Sequence, residues 1–515
     1  MKSSKRILTI LMAFLMIFGS LAMMFIFTSC GEDDDEIRVD IDAINFLITG
    51  TDGAFELIAG EFCINTRSIA VPENADRQNV VNAAVIQRNA QIYDELGVEV
   101  VMRHRTTVGG LNEYITPLFA TGFTDYHVLS GHQWFSIGKV LGTGAGRFIN
   151  FNGLTESENS LQLDQPWWDD QRIEALTWND VSWYITGHLS QSWIAAVYVS
   201  IVNRRMWEEH SSTIADLTGG LSCIYDIVRA GLWTIELWIE ITNAIFTSVT
   251  GADTPRRGDT VGFLSEGPSN FDGYALSVGS NVPFTIFEGG RPQVGLQSPR
   301  AVEFADLINE LFFDSRSLVP NPGGTEEMFD IFREGTALMM ISMLQNIEIR
   351  LVDEGFEDGI HIAPLPKMNA EQANYYSLVH ELIGLFVIPV DHFGIISDLT
   401  RVLDRMAELS YRIVYPAFFQ TAIQRMIIGG DYTNVSEMLR IARDGIYTCF
   451  VVVWASEISF NIVGLFRGGS PNYVANVRGQ IGSWNRTVAT LIGRLDDAVV
   501  ETNLQMARAR QEFNR

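Results

Sequence analysis

At 515 residues, 47% apolar and 11% aromatic, the chain is long enough for two or three domains with sizeable cores, and its composition is not that of a disordered protein. The formal net charge of −26 gives a surface that repels phosphate backbones and anionic headgroups, which argues against nucleic-acid partners. Cys30, Cys63, Cys223 and Cys449 show no CxxC spacing, so neither a metal knuckle nor a thioredoxin-like pair is encoded, and disulfides do not build the fold.

The N-terminus opens with the basic run Lys2-Ser-Ser-Lys5-Arg6, followed by the uncharged stretch Ile7–Phe27 and then Thr28-Ser29-Cys30-Gly31. Small residues before a cysteine at the end of an apolar run predict a lipoprotein signal peptide over 1–29, with Cys30 as the lipid-bearing residue. An uncleaved anchor is the alternative, because the apolar run is long enough to span a bilayer. Either reading puts the remaining chain outside the cytoplasm, on the outer face of the membrane. The acidic run Glu32–Glu36 then belongs to a self-repelling tether over 30–43.

Beyond it, Ile44–Thr49 reads as a strand, Asn79–Leu96 as a helix stopped by Gly97, and Val98–Met102 as the next strand. This order predicts a parallel sheet. A second unit follows, with a helix over Leu111–Ala120 and a strand over Asp125–Ser130. Ligands of open α/β sheets sit beyond such strand ends, which makes Gln133 and Trp134 candidates. The tandem Trp167-Trp168 reads as a loop staple, and Ser192–Val202 as a strand. Thr234 is a predicted N-cap for Ile235–Phe246, and Ser298-Pro299 starts a helix to Phe313. Thr325 is expected to cap a helix that stops at Gly335. The apolar run Ala337–Met343 is a buried strand, followed by a short strand Gly359–Ala363, the elbow Pro364-Leu-Pro366 and a strand over Leu382–Ile388. Helices are predicted over Ser397–Tyr411, Met438–Arg443 and Trp484–Met506.

Several of these pieces resemble bacterial extracellular solute-binding proteins of the sugar-binding family 1 type. The residues that carry the resemblance are Phe332-Arg-Glu-Gly335-Thr-Ala337-Leu-Met339, Ile362-Ala-Pro-Leu-Pro-Lys367, Pro166-Trp-Trp-Asp169 with Val181–Gly187, and Gly231-Leu-Trp233-Thr234. The segments Asn82–Asn89 and Asp125–Ser130 are similar to the family's first lobe. The resemblance implies an α/β, two-lobed periplasmic-binding-protein-like fold of type II with a multi-crossing hinge. Lobe 1 is expected over 44–185 plus 336–378 and lobe 2 over 186–335 plus 379–515, with crossings near 184–190, 335–343 and 376–384. It also implies capture of a small-molecule solute, a sugar or oligosaccharide, by hinge closure. ABC permease subunits are the implied membrane partners of a monomeric protein that needs no cofactor. Residues at strand ends and crossings are then the expected ligand contacts: Gln133, Trp134, Tyr184, Trp193, Gln345, Asn346, Tyr376 and Glu381, with Trp454 added.

Catalytic motifs do not appear. There is no Gly-x-Ser-x-Gly elbow, His380-Glu381 has Gly at 384 where a zincin helix needs its second His, and Gly142–Gly146 lacks the Lys-Ser/Thr of a phosphate loop. His127 and His132 are not spaced as metal ligands along a strand, and no metal site is expected. The reading is therefore a binding protein, not an enzyme. A lipid-tethered glycan hydrolase and a non-transporting receptor are the alternatives.

Overall fold

The computed structural model describes residues 39–515 apart from 50–68, 72–78, 106–116, 119, 124, 134–144, 191, 267–270, 321–323, 353, 381–382, 420–431, 456–463 and 466–471. At 47–49, 103–105, 132, 145, 192–193 and 348–349 it describes the backbone alone. The strands in chain order are β1 Ala43–Thr49, β2 Glu99–Arg105, β3 Val128–His132, β4 Thr177–Trp178, β5 Val181–Ser182, β6 Tyr198–Asn203, β7 Val261–Phe263, β8 Thr285–Glu288, β9 Arg291–Val294, β10 Ala337–Met343, β11 Ile360–Ala363 and β12 Gly384–Val387.

Eight of them build two open sheets. The first has the order β12-β3-β1-β2 and the second β11-β6-β10-β7. In the first, β1 is parallel to both β2 and β3, and β12 closes the edge antiparallel to β3. In the second, β10 is parallel to β7 and antiparallel to β6, which also pairs antiparallel with β11. Every residue of β6 and of β10 is buried, which is why both read as unbroken apolar runs and not as alternating ones.

Local chemistry sets the flanking helices. Asn79 caps Val80–Leu96 by accepting from the Val81 and Asn82 amides, and Gly97 ends it at φ 74°, a left-handed conformation that glycine adopts without strain. Thr234 caps Ile235–Ile245 through the Leu237 amide, and Ser298 with Pro299 starts Pro299–Asn309. Arg88, fully buried, ties the first helix to its surroundings by donating to Ser410 Oγ at 2.9 Å and to the Ile69 carbonyl at 2.6 Å. Burial pulls its pKa down to about 9.

The sheets are joined where crossing segments lie side by side. The chain leaves the first sheet through 183–197 and returns from the second through 364–383. The first segment runs antiparallel to the second and to β12 that continues it, with bridges at Val197–Val379 and Ile185–Phe386. A third segment joins them: the Ser377 amide donates to the Gly445 carbonyl at 2.8 Å and the Tyr447 amide to the Ser377 carbonyl at 3.1 Å.

The sequence placed 336–378 in the first lobe and 379 onward in the second. The strands pair otherwise. β10 and β11 belong to the sheet of β6, and β12 belongs to the first sheet, so 335–343 is not a crossing. An apolar run states that a strand is buried but carries no mark of which sheet buries it. Three element bounds also shift. Ser192–Ala195 is helical and β6 starts at Tyr198, the helix Thr325–Arg333 has Gly324 at its cap position, and the last helix covers Tyr473–Phe513.

That last helix has 41 residues, about 60 Å at 1.5 Å per residue. At its start Tyr473 donates to the Leu296 carbonyl and Asn485 accepts from the Val294 amide, both on elements of the second-sheet half. Further along, Asp496 accepts from Trp178 Nε1 at 2.8 Å and Thr502 from Trp183 Nε1 at 2.8 Å. Near its end Arg510 pairs with Glu158, on the first-sheet side.

The tandem tryptophans hold a loop, as expected, but through polar contacts. Trp167 Nε1 and Trp168 Nε1 both donate to Asp404 Oδ1, at 3.2 and 2.8 Å, and the Gln162 amide donates to the same oxygen at 2.9 Å. Behind them Gly187 sits at φ 153°, and a Cβ there would lie 2.4 Å from the Trp167 carbonyl oxygen, so only glycine lets the first crossing pass.

Candidate functional site

The parallel strands β1, β2 and β3 end at one edge of the first sheet, where β12 begins at Gly384 opposite His132. In the second sheet β7 and β10 end at the edge where β6 begins, Met343 opposite Tyr198. The crossing 376–384 runs from the second of these edges to the first. A crevice bounded by the carboxyl ends of strands from two sheets is where an open α/β fold binds its ligand.

Around the second-sheet edge, His380 stacks on Tyr198 with ring centroids 6.2 Å apart and planes 16° apart, and Phe271 approaches the same imidazole at 4.5 Å. Gln345 and Asn346 lie on the helical turn Leu344–Ile347 that follows β10. Asn346 Nδ2 donates to Ser342 Oγ at 2.9 Å, and Gln345 Oε1 is buried with no hydrogen-bond partner among the described residues. Tyr198, Phe271 and His380 were not singled out from the sequence. For Tyr198 and His380 the available signal was a position at the end of a buried strand and of a crossing, visible only when the strand is known to start at Tyr198 and not at Ser192; Phe271, at the cap of the helix Asp272–Gly279, carried none.

The other expected contacts have different surroundings. Gln133 is buried and its Oε1 accepts from Arg172 Nη1 at 2.7 Å, while Arg172 Nε pairs with Asp169 Oδ2 at 3.2 Å. This chain fixes the helix Asp170–Ala175 to the end of β3. Tyr184 and Trp454 are enclosed together with Trp183: Trp454 meets Trp183 edge-on at 6.1 Å and Tyr184 at 6.4 Å, and its Nε1 donates to the Ala175 carbonyl. Burial pushes the Tyr184 phenol well above its ordinary pKa. Tyr376 is half-buried and packs on Tyr447 at 5.7 Å. Cys30, Trp134 and Glu381, and the side chain of Trp193, lie outside the described residues.

Two sets of titrating groups oppose one another. Burial, helped by a nearby cation in each case, lowers His188 to about 3 and His361 to about 4, with Arg443 and Arg204 as the neighbours. His127, lowered to about 4 by burial and by His392, accepts from the Asn45 amide at 3.0 Å. Burial raises the adjacent carboxyls Glu266 and Asp272, and in Glu266 the neighbouring Asp272 adds to it. The three depressed histidines contribute stability that is present above about pH 6.5 and lost as pH falls toward their folded values. The raised carboxyls contribute stability that is present below about pH 4 and lost as pH rises. The urea midpoint is therefore expected to peak near about pH 6, with Asp272→Asn flattening the alkaline limb. A midpoint that climbs steadily to pH 8 would contradict this assignment.

No protein-family model matches the sequence, and no curated protein does. Among solved structures the chain is similar to a cyclo/maltodextrin-binding protein complexed with maltotetraose, at 13% identity over 93% of this chain and 99% of that one, with a TM-score of 0.50. It is similar also to a maltose-binding periplasmic protein from Listeria monocytogenes in complex with maltose, at 13% identity over 89% of this chain and 98% of that one, with a TM-score of 0.50. Likeness at this identity carries architecture alone: the chain has the two-lobed α/β fold of the periplasmic-binding-protein type.

Proposed function

We propose that the protein is the lipid-anchored, extracellular solute-binding component of an ABC importer, which captures a carbohydrate or oligosaccharide between its lobes without transforming it. The observation that carries this reading is the meeting of strand ends from both sheets at the crossing segments, with stacked rings and an amide oxygen in want of a donor placed there. Pyranose faces pack on flat rings, and sugar hydroxyls supply donors to such acceptors. Tyr198, Phe271, His380, Gln345 and Asn346 form the second-lobe wall, and Trp134, Trp193 and Glu381 are the further ligand contacts proposed from the sequence; Tyr376, also expected there, packs on Tyr447 instead. Gln133, Tyr184 and Trp454 act on the frame behind them. Both solved proteins named above were crystallised with maltooligosaccharides, which supports the ligand class. Cys30 would carry the lipid, and the permease would read the closed form.

The test is a thermal-shift panel of mono- and oligosaccharides and peptides on the purified full chain, with the ligand assayed for consumption. A bound saccharide at 100 times its Kd raises stability by about 2.7 kcal/mol. Tyr198→Ala and His380→Ala are expected to weaken that saccharide at least tenfold once the folded fraction is accounted for, since both side chains are buried and their loss also lowers the unliganded melting point. Silence from every saccharide would sink the reading. Consumption of the ligand would shift it to a hydrolase, for which Glu266 and Asp272 are the carboxyls to mutate.

A further inference from the structure

The crossing segments border a groove of about 590 Å³ on the side of residues 445–447. It shares no residue with the strand-end wall of Tyr198, Phe271, His380 and Gln345. Tyr375 and Tyr376 line it from the second crossing and Tyr447 from the third. Tyr375 is held rigid by donating its hydroxyl to the Val228 carbonyl at 2.8 Å. A smaller cavity of about 200 Å³ adjoins it through the shared residues Gln171, Asp444 and Ile446.

The charges in the lining cancel. Arg229 bonds Asp226 Oδ1 at 2.8 Å and Glu437 Oε2 at 2.6 Å, and Arg440 bonds Asp444 Oδ2 at 3.0 Å. A site with paired guanidinium and carboxylate groups offers donors and acceptors without a net field, so it favours neither anion nor cation. Flat phenol rings beside such groups suit a ligand with apolar faces and a hydroxyl rim, and the volume falls within the range of small-molecule sites, about 300–1,000 Å³.

We infer that this groove is a second binding site, for an uncharged polyhydroxylated solute of about di- to trisaccharide size, and that its occupancy is linked to the hinge. The inference rests on the saccharide-capture reading above. The linkage follows from the walls. Gln171 belongs to the helix that Asp169, Arg172 and Gln133 fix to the first sheet, whereas Arg229 ends the helix Ile224–Arg229 of the second-sheet half. The distance between them changes with any rotation about the crossings, so an occupant binds one hinge state more tightly than the other.

Calorimetric titration of maltotriose into the full chain tests this, using wild type, Ala373→Trp, Tyr447→Ala and Tyr198→Ala. Ala373 is exposed on the groove, so an indole there fills the space without entering the core. Two binding events are expected in the wild type. Ala373→Trp and Tyr447→Ala should each weaken one event at least tenfold and shift the other measurably, and Tyr198→Ala should weaken the other event. A single event that ignores Ala373→Trp and disappears in Tyr198→Ala overturns the second site and leaves the proposed function standing. A single event with the reverse pattern supports the groove and removes the strand-end wall from ligand binding. Absence of heat with maltotriose in the wild type overturns the second site, while the proposed function stands or falls on the full saccharide panel.

Discussion

Asp404→Ala is expected to cost about 3–5 kcal/mol of folding stability, read as a shift in the urea midpoint at unchanged slope. One carboxylate oxygen of Asp404 collects two indole N–H groups and the Gln162 amide, and the aspartate is 5% exposed, so water cannot take its place. Each buried donor left without a partner costs about 1–3 kcal/mol, and the two indole N–H groups are orphaned together. Asp404→Asn keeps an acceptor oxygen of the same reach and should lose about half as much, through the weaker neutral bond. The variant also reports on architecture: these bonds tie the loop 162–168 to the helix Ile396–Leu409, and the backbone of 167–169 supports Gly187 at the first crossing. An alanine variant within about 1 kcal/mol of wild type would show that the tandem tryptophans are held by packing alone.

Trp454→Ala should be comparably damaging, by about 3–5 kcal/mol, because it empties the space beside Trp183 and Tyr184 and leaves the Ala175 carbonyl without its donor. Trp454→Phe retains most of the ring volume and is expected to lose about 1–2 kcal/mol. Neither variant should change saccharide affinity by more than about threefold once its folded fraction is accounted for, since 1 kcal/mol corresponds to about fivefold. A large loss of affinity in Trp454→Phe with wild-type stability would instead assign Trp454 to the ligand, as the sequence first suggested.

The fold was legible where burial leaves a mark in residue type. β10 is an unbroken apolar run because it lies between two neighbours and is covered on both faces, and the helix starts at Thr234 and Ser298 declare themselves by side-chain chemistry, whereas Asn79, read as the first helical residue, proves to be the cap. Sheet membership was not legible, since β10 looks the same in either half. The site was harder. A glutamine at a strand end reads as a ligand contact, yet Gln133 faces a guanidinium that only the folded chain brings near, 39 positions away in sequence. Conversely, His380, met in the sequence only as half of an incomplete zincin pattern, and Tyr198 acquire meaning by stacking across 182 positions, a distance that no local pattern encodes. The tryptophans are in large part spent on the core: Trp183, Trp233, Trp238 and Trp454 are among the largest fully enclosed side chains.

The C-terminal helix Tyr473–Phe513 has a mechanical consequence. A rod fastened at one end to Leu296 and Val294 and at the other to Trp183 and Glu158 works as a splint across the joint. Turning one half against the other must flex this rod or strip one of its fastenings. Its weak points are chemical: Gly479, Gly482-Ser483 and Gly493, where a helix bends with the least resistance. In the proposed capture step this helix would oppose rotation of the halves with an elastic force of its own, from outside the groove lined by Tyr375, Tyr376 and Tyr447.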